Sequence, residues 1–144
     1  QPRSRGLGDV YKRQVYDEVY AITSHTGKAA GNIDGISLSE DEIRIIEPFM
    51  KESTGELGDI LSYYGTLSVN SDKISVSLSM PSNWKESLKD SLSQCISNYI
   101  SNSICQRWFS ISDKDDVKYY ADKVLVNEKN INKILSEREK PQRQ

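Results

Sequence analysis

Few residues in this chain of 144 could do chemistry near neutral pH, and their spacing does not bring them together. His25 is the single histidine, the one side chain that titrates there without perturbation. Nucleophilic catalysis needs a nucleophile, a base and an orienting acid in one place. A lone histidine near the end of a short helix reads instead as a solvated or capping residue. Cys95 and Cys105 are the two cysteines, both expected on one helix. Ten residues along a helix span about 15 Å, whereas a disulfide requires Cα atoms within about 7 Å, so they cannot pair within it. Two unpaired thiols suit a reducing compartment, and with one histidine and no CxxC pair a zinc site has little support. Acidic pairs such as Asp115-Asp116 could serve as acid and base, but a helix N-terminus favours them anyway.

Two short stretches invite a ligand. Gly27-Lys28 resembles the end of a phosphate-binding loop, whose glycines free backbone N–H groups and whose hydroxyl holds magnesium. Ile22 stands at the first glycine position and Ala29 at the hydroxyl position, and the stretch follows a helix rather than a strand. A glycine that stops a helix explains it better. Asn32, Asp34 and Gly35 match positions three, five and six of a calcium loop. Position one would be Ala30, position eight Ser37 and position twelve Asp41, so two of the hard ligands fail and a turn leading to a capped helix is expected. No metal, cofactor or catalytic residue is assigned.

The elements around these residues read as follows. Val15, Val19 and Ile22 recur at helical spacing and predict a short helix ending near Gly27, followed by a small-residue linker over 27–37. Ser39 and Glu42 fit a capping box that opens a second helix to about Tyr64, with Ile43, Ile46, Met50, Leu57, Ile60 and Leu61 on its apolar stripe. Pro48, Gly55 and Gly58 predict a kink or a division in it. The period then changes to two. Leu67 and Val69 alternate with polar residues, the polar turn 70–72 follows, and Ile74, Val76, Leu78 and Met80 alternate with serines. This predicts a β-hairpin near 66–80 with one apolar face. A lone hairpin is marginal in water, so that face must cover helices or pair with another chain.

After Pro81, Ser82 or Asn83 is expected to cap a long third helix to about Phe109, carrying Trp84, Leu88, Leu92, Cys95, Ile96, Tyr99 and Ile104. Trp108 and Phe109 are adjacent and point in different helical directions, so one should be more exposed than a monomer prefers. Ser112 and the acids that follow open a last helix with Val117, Tyr120, Ala121, Val124, Ile131 and Leu135 on its stripe, ending before Pro141. The expected fold is α+β, mainly α, with about four helices and one hairpin inserted before the long third helix, in a single domain over 15–140 with a frayed tail at 141–144. The interface candidates are Leu67, Val69, Ile74, Val76, Leu78, Trp108 and Phe109.

Residues 1–14 do not read like the remainder. Asp9–Gln14 can be written GAT GTG TAT AAG AGA CAG, which resembles the end of a synthetic transposon adapter used in DNA library preparation. Residues 4–8 read as TCT CGT GGG CTC GGA, the adjoining part of the same adapter. These residues are therefore expected to be non-native, translated from adapter sequence, with the native start lost a few residues before Val15. They carry Arg3, Arg5, Lys12 and Arg13 against Asp9, so the formal charge of −2 becomes −5 without them. An acidic chain does not attract nucleic acid by neutralising phosphates, and no sequence-specific nucleic-acid binding is expected. No run approaches the roughly 18 apolar residues of a membrane span, and nothing marks the chain for export.

The order of capped acidic helix, short β insertion ending in proline, long helix with terminal aromatics and last helix resembles the small head–tail connector (adaptor, or neck) proteins of tailed bacteriophages. Residues 38–50 match the acidic helix, residues 77–88 the start of the long helix, and Trp108-Phe109 the aromatic position. Ser110-Ile111 stand where that family usually has Asn-Arg. The resemblance implies a non-enzymatic virion protein, assembled in the bacterial cytoplasm as a homo-oligomeric ring against a portal or other neck and tail proteins. The alternative is a small helical protein-binding module with a regulatory role in a gut or environmental bacterium.

Overall fold

The computed structural model describes residues 2–11, 15, 19, 40–69, 73–112 and 114–139. In order these form strand β1 (Pro2–Tyr11), helix α1 (Glu40–Leu61), strands β2 (Gly65–Val69) and β3 (Lys73–Pro81), a 3-10 turn (Glu86–Leu88), and helices α2 (Lys89–Ser112) and α3 (Lys114–Ser136). The class is α+β, mainly α. Three long helices are described where four were expected. Most of the first expected helix lies outside the described residues, but Val15 and Val19 are helical and fully buried. The linker 27–37, the Ser39 cap and the turn 70–72 also fall outside them.

α2 is the central element and packs against α1, α3 and β1. Its sequence explains the position: Leu92, Ile96, Tyr99, Ile100, Ile104, Cys105 and Phe109 are buried, and small Ser101 and Ser103 close the gaps between them. A helix covered on nearly every side has no single apolar stripe. α1 and α3 are two-sided by contrast. α1 buries Ile46, Met50, Leu57 and Leu61, and α3 buries Tyr120, Ile131 and Leu135. Lys114–Ser136 begins with Asp115 and Asp116 and ends with Lys133, so both charges oppose its dipole.

α1 runs through Pro48 as one element, which corrects the expectation of a divided helix. Pro48 is exposed, and the helix continues past it. Gly55 and Gly58 likewise face open space. The helix stops at Leu61, and the backbone N–H of Tyr64 closes the turn onto the Leu61 carbonyl at 2.9 Å.

The hairpin forms as the period-two pattern requires, with Leu67 opposite Val76 and Val69 opposite Ile74. Gly65 lies opposite Leu78, and a Cβ there would collide with the Ser77 carbonyl oxygen and come within 2.8 Å of the Leu78 Cα. Only glycine allows that approach. β3 lies in the middle of a three-stranded sheet of order β1-β3-β2. β1 pairs antiparallel along β3 from Pro2↔Pro81 to Tyr11↔Lys73, with a break in register between Gly6 and Gly8.

The start of the long helix differs from expectation. Neither Ser82 nor Asn83 caps it, because Trp84 is drawn away into a bridge with Arg138 and its indole N–H donates to the Ile134 carbonyl at 2.9 Å. The N–H of Glu139 donates to the Asn83 carbonyl at 2.7 Å, so the end of the chain is clasped here before its last residues. The helix proper begins only at Lys89, after the 3-10 turn. Trp84 is nevertheless core, at 2% exposure.

Candidate functional site

The residues singled out for interfaces divide sharply. Ile74, Val76 and Leu78 are buried in the chain's own core, as is Met80. The apolar face of the hairpin therefore covers its own helices, and these three side chains cannot serve a neighbouring subunit. Phe109 is also removed from candidacy: it is buried and stacked on Tyr120 with ring centroids 5.3 Å apart. Trp108 is half-buried at the rim of the core. Leu67 is half-buried and Val69 is 41% exposed, both on the short edge strand β2. The division follows from strand position, since central β3 is covered and edge β2 is not.

Tyr63, the most exposed large hydrophobic side chain among the described residues, lies just after α1 and stacks edge-on against Tyr64 with centroids 5.0 Å apart. The hairpin's open edge and this tyrosine belong to neighbouring stretches of chain. On α3, Tyr119, Leu125 and Val126 are also more than half exposed. Tyr119, Asp122, Lys123 and Val126 recur at i, i+3, i+4 and i+7 and share one helix face. With Asn98, Asn102 and Asn127 they line an open groove of about 460 Å³ between α2 and α3. The Asn102 amide donates to the Asn127 side-chain oxygen at 2.9 Å, and the Lys123 ammonium sits 4.6 Å from the centre of the Tyr119 ring. Those contacts hold the groove's walls without converging on a point where a reacting atom could sit.

A polar knot joins α1 to α2. Ser53 donates to Ser103 at 2.8 Å, both hydroxyls being buried, and Arg107 reaches over them to Glu52 at 2.7 Å and Glu56 at 2.8 Å. Arg107 also donates to the Ser103 hydroxyl. Burial opposes the guanidinium charge, but hydrogen bonds to Glu56 and Glu52 outweigh it and hold the Arg107 pKa above its usual range. Thr54, buried beside this knot, donates back to the Met50 carbonyl at 2.9 Å. Sequence reading missed the whole group. Its signal was the gap in the apolar stripe between Met50 and Leu57, filled by Ser53 and Thr54, with two serines at matching depth on the long helix.

Burial, with smaller contributions from Glu56 and Glu128, pushes the Tyr99 phenol up to about 12, against a small opposing effect of Arg107. Burial also raises Tyr120 to about 12, helped by Cys105, Tyr119 and Asp116. Both hydroxyls are thus held protonated, the reverse of what a phenolic base would need. Burial raises the Cys95 thiol too, which makes it a poorer nucleophile; Cys105 is buried, and neither cysteine is in a disulfide. His25, Gly27-Lys28 and residues 30–39 of the calcium-like stretch lie outside the described residues. Among the described residues no group of three or more His, Cys, Asp or Glu could hold a metal ion, and no helix is long and apolar enough to cross a membrane. No protein-family model matches the chain, and comparison with curated proteins and with solved structures returns no match.

Proposed function

We propose that this chain is a non-enzymatic structural protein of a phage or prophage, a head–tail connector or neck component that assembles as a ring. A connector needs two kinds of contact, one between neighbours and one to the proteins above or below. The chain offers two surfaces for them: the open β2 edge with Val69, and the exposed side of α3, with Tyr119 and Val126 along the groove against α2 and Leu125 beside them. That pair of surfaces is the observation carrying the reading, because contact with neighbouring copies and contact with the proteins above or below need different patches. The element order behind the connector resemblance supports it further. An acidic native charge of −5 suits contact with protein more than with DNA.

The test uses the full-length chain with residues 2–11 exchanged for a Gly/Ser run, since that stretch resembles adapter sequence. Sedimentation velocity and negative-stain electron microscopy are expected to find ring-shaped particles that form with rising concentration. A strict monomer at every concentration, indifferent to added portal rings, would overturn the reading.

A further inference from the structure

β1 is the least native part of the sequence, yet it occupies β3 along its whole length, from Pro81 to Lys73. Adapter-derived residues share no history with β3. Their pairing therefore reports what the edge accepts through backbone N–H and C=O groups, largely without regard to side chains. In a protein without this segment, β3 would present a bare edge of nine residues. Natural sheets guard such edges with charge, proline or a bulge. From Ile74 to Met80 the strand carries neither a charged residue nor a proline, and neither does β2. Lys73 and Pro81 guard the two ends of β3, but between them, and along all of β2, the edges of the hairpin carry no such guard.

Direction supplies the partner. β1 and β2 both run antiparallel to β3, so they point the same way. A second copy's β2 can occupy the place of β1 without reversing, leaving its own β3 edge open for a third copy. We propose that the outer edge of β3 is the acceptor for β2 of a second copy of this chain, joining hairpins head to tail in one antiparallel sheet. The proposal rests on the ring reading above and names the contact that closes it. It also accounts for the incomplete cover of β2. Leu67 and Val69 lie on the core side of the hairpin, opposite Val76 and Ile74, and are covered only when the next copy extends the sheet. In the intact chain β1 caps the acceptor edge and blocks the contact.

Two batches of the Gly/Ser-exchanged full-length chain test this, one carrying Thr66→Cys or Ser68→Cys, the other Ser75→Cys or Ser77→Cys. They are mixed, oxidised, and the linked positions identified by mass spectrometry. Because each batch has one introduced thiol, a β2–β3 link can form only between copies, and the four pairings span the neighbouring registers. At least one pairing is expected to give β2–β3-linked chains, and the link is expected to be lost when β1 is intact. Ring particles with no such link would overturn the edge contact while leaving the ring reading standing; monomers without links would overturn both. If circular dichroism shows that the exchange unfolds the chain, Leu7→Pro with Val10→Pro in the otherwise intact sequence carries the same four pairings.

Discussion

Arg107 and the two serines beneath it set the account at the scale of single residues. Ser53 donates to Ser103 in a buried layer while Arg107 donates to both hydroxyls, so removing Ser103 leaves the Ser53 O–H without its acceptor and removing Ser53 costs Ser103 a donor. Each single change to alanine is expected to cost about 1–3 kcal/mol, and the double change less than the sum, because both groups then leave together. Urea unfolding of the three variants measures this directly. The two phenols give a pH prediction. Their folded pKa values, near 12 against the ordinary 10, mean that the fold binds these protons more tightly than the unfolded chain does. Their contribution is complete below pH 10 and is lost as the pH rises from 10 to about 12. Tyr99→Phe with Tyr120→Phe is expected to flatten that alkaline loss of stability, followed by circular dichroism across the range. Tyr99 and Tyr120 lie on the apolar stripes the sequence predicts, whereas Ser53, Ser103 and Arg107 could not be singled out from it. A serine in an amphipathic helix looks like surface until a second serine is known to face it across 50 residues of chain.

The elements were more legible than the residues. Period-two alternation on both sides of 70–72 gave the hairpin its bounds to within a residue, because side-chain direction in a strand leaves little freedom in register. It did not reveal that β3 would become the central strand, which depends on β1 and on no local pattern. The start of α2 was misread for a similar reason. Asn83 and Glu86 fit a capping box locally, but the last residues of α3 and those just beyond it capture Trp84 first. Trp84→Phe keeps an aromatic ring in the core but removes the bond to the Ile134 carbonyl and leaves part of the indole's volume unfilled, with an expected cost of at least about 1–2 kcal/mol in thermal or urea unfolding. Gly65→Ala should act at this scale too. Its Cβ meets backbone rather than a movable side chain, so β2 must separate from β3 at that end. Hydrogen exchange is expected to show lost protection at Thr66 and Ser68, whose N–H groups face β3 in the register set by the Ser79 N–H to Tyr64 carbonyl bond, while α2 keeps its own.

For the whole molecule, one packed core holds α2 at its centre and leaves the β2 edge and Tyr119, Leu125 and Val126 of α3 exposed. Composition and periodicity made the helical frame readable, since each stripe records what the helix must cover. Exposed surfaces leave no comparable periodic trace, which is why four of the seven interface candidates proved to be core. What survives, Val69, Leu67 and Trp108, lies at edges and rims, where an assembling protein meets its copies. Mass photometry of the chain with residues 2–11 exchanged for Gly/Ser tests that claim most directly. The account requires a discrete large species at a whole-number multiple of the subunit mass; a single peak at the monomer mass, unchanged by concentration, would contradict it.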